Sequence, residues 1–356
     1  MHLDYLIIGQ GVAGSTLAIH LLEAGARLKV IDMNKQHTAS WAAAGLYNPI
    51  TGRKMVKTWM ADELFPYLQS FYQHAEALCG QSFLHPKSIY RPFVSLEEQN
   101  DWLAKADNKA FVPYVEKVHA KPFSGGLIKD PYGGLLLRQC GYLDLPTYVA
   151  AVRCWLSSKG AYLEQRFEPE KLHIAQESVT YEGLQARKII FCDGPDAFRA
   201  SFFSWLPFSP VKGEVLTIRP EQDFEVVFNR GVFILPGGDA YKVGSTYNHH
   251  DLSFTPTEEG RKYLEEKMRK FCNFRYTVTD HIAGVRPATQ DRKPFIGLHP
   301  VHQTLAIFNG LGTKGVSLAP FLARHFTAFL LHDKPLEEAV NIERYYHKFH
   351  SVATNK

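Results

Sequence analysis

Three glycines and one acid carry the most specific chemistry in this sequence. Gly9, Gly11 and Gly14 follow the apolar run Leu6-Ile7-Ile8 in G-x-G-x-x-G spacing, and Asp32 closes the next apolar run, which holds Leu28, Val30 and Ile31. In that pattern the first glycine lets the chain turn out of a strand, the second lets backbone approach a pyrophosphate, and the third lets the helix pack on the sheet. The first-turn amides of the helix, Val12 and Ala13 among them, meet negative charge with unpaired N–H groups and a partial positive end. Asp32 stands where a carboxylate accepts hydrogen bonds from a ribose. A second glycine loop, with Gly310, Gly312, Thr313, Lys314 and Gly315, opens another helix some three hundred residues later. Its N-terminus can aim positive potential at a different electron-rich part of the same ligand.

These groups need elements to hold them. Leu17, Ala18, Leu21 and Leu22 recur at helical spacing and Gly25 stops the helix, so residues 3–34 read as strand, helix and strand. The stretch 38–45 is nearly all small residues, including Ser40, Ala43, Ala44 and Gly45, which lets backbone come close to something flat. A loop with basic residues Arg53, Lys54 and Lys57 follows. A helix is expected over 59–78 with Leu64, Leu68, Phe71 and Tyr72 on one side, then an irregular insertion over 83–134 with short strands at 88–94 and 134–137. The nucleotide fold resumes at 141–146, where a helix with Tyr148, Val149, Val152 and Leu156 begins, and continues with a strand over 188–192 ending in Asp193-Gly194-Pro195. Strands over 211–219, 225–228, 232–235, 241–245 and 276–282 form a β-rich lobe. Thr255-Pro-Thr-Glu258 reads as a capping box opening a helix to about residue 271. A strand over 305–308 and a helix over 316–331 close the chain. The fold class is α/β.

Composition narrows the function classes. The 356 residues are 45% hydrophobic with a net charge of +4, so bulk charge gives no support for a nucleic-acid partner. Five cysteines, Cys79, Cys140, Cys154, Cys192 and Cys272, lie far apart with no C-x-x-C pair, which argues against a disulfide framework or a zinc site and predicts a reducing compartment. The apolar start contains Asp4, lacks a basic leader and runs into the glycine motif, so it reads as fold, not signal peptide. The best candidate for a membrane span, 316–331, contains Pro320, Arg324 and His325. A cytoplasmic location is expected.

Taken in order, the chain resembles the D-amino-acid oxidase family of flavoenzymes, which includes glycine and sarcosine oxidases. The pieces are the first glycine motif with its acid, residues 39–45, 141–146, Cys192-Asp-Gly194, Pro210-Val-Lys-Gly-Glu214, Gly284-Val-Arg-Pro-Ala-Thr-Gln-Asp291 with Lys293-Pro-Phe-Ile-Gly297, and the final glycine loop. Gly45-Leu-Tyr-Asn-Pro49, Arg286-Pro-Ala-Thr289 and Gly310-Leu-Gly-Thr-Lys-Gly315 are also similar to the oxidase domain of the bifunctional enzyme that finishes 5-methylaminomethyl-2-thiouridine in tRNA.

The resemblance implies a Rossmann-like FAD-binding domain formed by 1–60, 138–207 and 280–356, with an inserted β-rich α+β substrate domain formed by 61–137 and 208–279. It implies FAD with its ADP half on the first βαβ unit and its ring under the lobe. The cofactor residues are then Gly9, Gly11, Val12, Ala13, Gly14, Asp32, Ser40, Ala43, Ala44, Gly45, Gly194, Gly310, Gly312, Thr313, Lys314 and Gly315. The flavin is expected to be non-covalent, His37 being the candidate for attachment otherwise. Arg286 is expected to clamp a substrate carboxylate through two parallel hydrogen bonds, with Tyr247 the nearest aromatic residue to hold the substrate. The activity implied is oxidation of an amino acid or secondary amine, with oxygen or another electron acceptor, no assigned acid or base, no metal and no settled oligomeric state. The rivals are a nicotinamide dehydrogenase, a non-catalytic nucleotide-binding scaffold, and a tRNA-acting oxidase whose basic face would use Arg53, Lys54 and Lys57.

Overall fold

Two eight-stranded sheets are woven from alternating parts of the chain. The computed structural model describes residues 2–35, 38–52, 54–200, 202–238 and 240–353. His37 and Arg53, named above as an attachment candidate and a basic-face residue, lie outside the described residues.

The helices, in chain order, are α1 (Val12–Glu23), α2 (Ala39–Ala42), α3 (Ala61–Cys79), α4 (Leu96–Lys105), α5 (Leu145–Ser158), α6 (Ala197–Ala200), α7 (Glu258–Phe271), α8 (Gly315–His332) and α9 (Tyr346–Ala353). The first sheet is centred on His2–Ile8, which pairs in parallel with Leu28–Asp32 on one side and Leu184–Phe191 on the other. Leu305–Asn309 pairs in parallel with the far end of Leu184–Phe191, so the last part of the chain joins the sheet that the first part began. These strands are apolar on both faces, with Leu6, Ile7, Val30, Ile189, Ile190 and Ile307 fully buried, as a parallel sheet covered on both sides requires. On one face α1 packs against α8, and α3 lies on α8 and α5. Leu318, Leu322 and Phe326 of α8 point inward as their spacing predicts.

The second sheet forms the lobe, in the order Tyr276–Arg286, Val211–Pro220, Ala240–Gly244, Val232–Gly237, Val227–Arg230, Ile89–Pro92, Gly134–Leu137 and Val115–His119. Its outer face carries Leu216, Ile218 and Val243 against Leu264 and Met268 of α7. Full burial of two such side chains contributes roughly 1.5–3 kcal/mol each. The inner face turns toward α2: a Cβ on Gly284 would come 2.7 Å from Ala42 Cβ, so the missing side chain lets helix and sheet touch.

Three local expectations need correction. The stretch read as irregular contains α4, whose ten residues bury only Gln99 and Trp102 and so present almost no apolar period. The α7 cap is Thr257, whose hydroxyl accepts the Gly260 amide at 3.0 Å, and not Thr255. Glu214 reaches from the lobe sheet to the Thr257 amide at 2.9 Å and fixes the start there. The strand expected to end at residue 282 runs on to Arg286, because its partner Val211–Pro220 stays in register from Pro220↔Tyr276 to Val211↔Arg286, with one bulge.

Candidate active site

The first glycine loop is built by close approach. Gly9 sits at φ +94°, and a Cβ there would fall 2.6 Å from the Cys192 carbonyl oxygen. A Cβ on Gly14 would overlap the Gly9 carbonyl, so the start of α1 can lie on the loop only without one. Gly11 caps α1 in extended conformation, and the space beside it is taken by Ser40, whose Oγ would lie 3.0 Å from an added Cβ. Ser40 Oγ also accepts the Val12 amide at 3.0 Å. The next two amides of that turn, Ala13 and Gly14, have no acceptor among the described residues. Asp32 is tied into the same loop: Oδ2 accepts the Gln10 amide at 2.8 Å and Oδ1 the Asn34 amide at 2.7 Å. Each carboxylate oxygen keeps a second lone pair for another donor.

The second glycine loop meets the first. A Cβ on Gly315 would stand 3.0 Å from Val12 Cγ1, so the N-termini of α8 and α1 are neighbours. Gly310 (φ +76°) backs onto Thr289, while the Gly312 amide donates to the Pro287 carbonyl at 3.3 Å. Asn309 ties this loop to the end of the Leu184–Phe191 strand, donating from Nδ2 to Asp193 Oδ1 at 3.0 Å and to the Gly194 carbonyl at 3.1 Å. Burial pushes the Asp193 carboxyl up to about 7. Thr313 is exposed at the loop tip. Lys314 turns its ammonium to two neutral hydroxyls, Thr51 Oγ1 at 3.4 Å and Thr58 Oγ1 at 3.3 Å. Burial, then the nearby charges of Lys293 and Arg292, holds its pKa below the ordinary lysine value.

Among the described helices of ten or more residues, α1 and α8 alone have neither a side-chain N-cap nor an acid in the first turn. Ser95, Asp144 and Thr257 cap α4, α5 and α7, and α3 carries Asp62 and Glu63. An uncapped helix start leaves amides that need a partner, and here two such starts converge. A pyrophosphate-bearing cofactor fits that arrangement.

Between these loops and the lobe runs the small-residue stretch. Gly45 has φ +71° and a Cβ there would overlap the Leu143 carbonyl, while the Gly45 carbonyl accepts the Leu143 amide at 3.0 Å. Ala44 is buried and Ala43 half-buried beside it.

Arg286 emerges on the inner face of the lobe. Its guanidinium lies across Gly213 of the neighbouring strand, where any Cβ would overlap Nη2. It donates to Ser245 Oγ at 2.7 Å and to the Thr246 carbonyl at 3.3 Å, and the Tyr247 ring stacks 4.8 Å from its Cζ. No carboxylate among the described residues pairs with it, and burial lowers its pKa from the usual arginine value. The structure thus brings Arg286 and Tyr247 together. Ser245, Thr246 and Gly213 were not legible in the sequence, since their roles depend on strand register.

Two further cations were missed. Lys242 stands in the register position between Thr217 and Leu235, its ammonium makes no hydrogen bond among the described residues, and burial lowers its pKa. Arg91 is 5% exposed, donates from Nη2 to the Gly52 carbonyl at 3.0 Å, and leaves Nε without a partner.

Comparison with known proteins adds four findings. A family model described as DAO, FAD dependent oxidoreductase, matches residues 4–329. The bifunctional protein ThiO/ThiG of Trichormus variabilis is 27% identical over 93% of this chain and 53% of its own length; the chain spans about half the length of such bifunctional relatives. The glycine oxidase of Pseudomonas putida is 25% identical over 94% of this chain and 96% of its own. The solved glycine oxidase of Geobacillus kaustophilus shares the fold, with a TM-score of 0.77 at 19% identity over 97% of this chain and 98% of the other. No helix among the described residues is long and apolar enough to cross a membrane.

Proposed function

The chain belongs to the DAO family of FAD-dependent oxidoreductases, and from that premise we propose that it oxidises the C–N bond of a small amino acid or secondary amine that carries a carboxylate. The observation that carries this reading is Arg286: a half-buried guanidinium with only neutral partners, Ser245 Oγ, the Thr246 carbonyl and the Tyr247 ring. A desolvated cation without a counter-ion is costly, and a substrate carboxylate supplies one, with the two parallel bonds that fix orientation. FAD, when bound, would supply the two-electron acceptor for a hydride, at its N5.

In this reading the remaining work of the chain is to bind and align. The first-turn amides of α1 would hold the pyrophosphate, with Gly9 and Gly14 letting the strand end and the helix start pack closely enough to present them. Asp32 accepts from the ribose with its second lone pairs. Residues 43–45, Gly194 and the Gly310–Gly315 loop would hold the flavin half. Arg286 and Tyr247 set the amine's carbon against the ring. The flavin is held without a covalent bond, since no cysteine stands in the second glycine loop or beside Arg286. The likeness to the P. putida glycine oxidase supports the substrate class.

The test is anaerobic flavin bleaching. The purified protein should be yellow, release its colour on acid precipitation, and bleach with carboxylate-bearing amines such as glycine or sarcosine. A protein bleached equally well by amines that lack a carboxylate would overturn the role of Arg286.

A further inference from the structure

We propose that Lys212 is a positioning residue for the substrate end of this site, fastening the loop that carries Tyr247 and the acceptors of Arg286 to the opposite face of the lobe sheet. The proposal rests on the reading of Arg286 above.

Lys212 is 0% exposed. It occupies the strand position before Gly213, so its side chain leaves the face opposite Arg286. All three hydrogen-bond acceptors of its ammonium come from one loop: the Asp251 carboxylate, Ser253 Oγ at 3.2 Å and the Thr255 carbonyl. Its backbone holds the same loop nearer the substrate, the Lys212 amide donating to the Asn248 carbonyl at 2.8 Å and the Asn248 amide to the Lys212 carbonyl at 3.0 Å.

Glu214, two residues on and 2% exposed, grips both ends. Its amide donates to Thr246 Oγ1 at 2.9 Å, and its carboxylate accepts the Thr257 amide and hydroxyl, each at 2.9 Å. Glu214 also stands 3.7 Å from the Lys212 ammonium and 2.9 Å from His281 Nε2.

The free side of the loop needs such a hold. Tyr247 is 65% exposed and residues 248–250 are exposed as well, so little packing keeps the Tyr247 ring over the guanidinium. An ion pair at Asp251 with two further acceptors behind it limits where the chain from 245 to 255 can go. The hydrogen bond from Lys212, then that from the Ser253 amide, holds the Asp251 carboxyl down to about 2, so mild acid does not neutralise it.

The test uses the FAD-loaded protein and acetate as a carboxylate probe, titrated through the visible flavin spectrum, together with amide hydrogen exchange over 246–250. Asp251→Asn breaks the partly exposed side of the pair and leaves the fold in place; Lys212→Met is the harsher variant. Asp251→Asn should weaken acetate at least threefold and speed exchange at 246–250, with FAD retention unchanged. In an Arg286→Met background the same change should cost acetate nothing further. Unchanged exchange and acetate affinity in Asp251→Asn would overturn the proposal, as would an equal loss in both backgrounds. If Arg286→Met by itself leaves acetate binding intact, the carboxylate reading fails, and exchange alone then decides: faster exchange in Asp251→Asn upholds the fastening and unchanged exchange overturns it.

Discussion

The two ends of the candidate site are made from different materials. At the nucleotide end the working surface is backbone: the bare starts of α1 and α8, the first laid on its own loop because Gly9 and Gly14 lack side chains, and the second brought against Val12 because Gly315 does. At the lobe end it is side chain: Arg286 across Gly213, Tyr247 over Arg286, and the buried cations Lys242 and Arg91, whose pKa values burial lowers. A backbone surface tolerates no substituent at its contact points, whereas a side-chain surface can lose a member and keep its shape. The contrast teaches where damage abolishes the holoprotein and where it only slows it.

The largest effect should therefore fall at the nucleotide end. Gly14→Val puts a branched side chain into the Gly9 carbonyl, and overpacking against fixed backbone costs about 1–3 kcal/mol or more. The purified variant should be colourless and should not regain its spectrum with added FAD; a yellow Gly14→Val protein would break the comparison at its stronger side.

Next comes Arg286→Met. Removing one member of a buried, hydrogen-bonded charge pair costs ~2–5 kcal/mol, roughly thirty-fold to several-thousand-fold in kcat/KM for a carboxylate-bearing amine. The flavin spectrum should survive. Arg286→Lys should recover only part, since an ammonium cannot make two parallel bonds. Loss of flavin from Arg286→Met would mean that the lobe end is structural after all.

A smaller effect sharpens the boundary between the two materials. Gly213→Ala, in the lobe, obeys the rule of the other end, because its new Cβ would overlap Arg286 Nη2. The displaced atom here is the end of a flexible side chain, so the variant should keep its FAD and lose about ten-fold in kcat/KM, on the order of 1 kcal/mol. Stopped-flow reduction with excess substrate checks it; an unchanged rate would show that the guanidinium works from elsewhere.

The smallest expected effect is a pH slope at Asp193. Its carboxyl is raised by burial to about 7, so the folded protein binds more protons than the unfolded chain between the ordinary carboxyl value and that point. Stability from this group is full below the unfolded pKa and is lost as pH rises toward 7. Asp193→Asn should gain melting temperature relative to the parent at pH 8 compared with pH 5, by on the order of 2 °C. Parallel curves for the two proteins would refute it.

The same contrast explains what the sequence disclosed. The nucleotide end was legible because a backbone that must approach something closely forces glycine at fixed spacing, and spacing is local. Gly9, Gly14, Gly45 and Gly310 do stand at close approaches, and the βαβ start needed no long-range information. Arg286 and Tyr247 entered through family resemblance with a role, whereas Lys212 and Gly213 entered only as part of a motif with no role attached. That Gly213 lies under Arg286, and Lys212 behind the Tyr247 loop, follows only once 211–220 and 276–286 are paired in register, some sixty-five residues apart in the chain. The position of the α7 cap was hidden for the same reason, since Glu214 chooses Thr257 from another strand. Ser40 was marked for the cofactor, and the structure shows its hydroxyl already engaged with Val12.

The way the first sheet closes bears on when the protein can become an enzyme. Its central strands come from residues 2–8, 28–32 and 184–191, but Leu305–Asn309 and the glycine loop that completes the second helix start arrive only after the whole lobe has been made. On a ribosome the N-terminal part of the chain can begin to fold, yet one of the two helix starts proposed to seat the cofactor is still unsynthesised. Cofactor loading is then a late event, after α8 has emerged and docked on α1. A chain stopped near residue 290 would carry the entire lobe strand with Arg286 and still have no complete seat for a flavin.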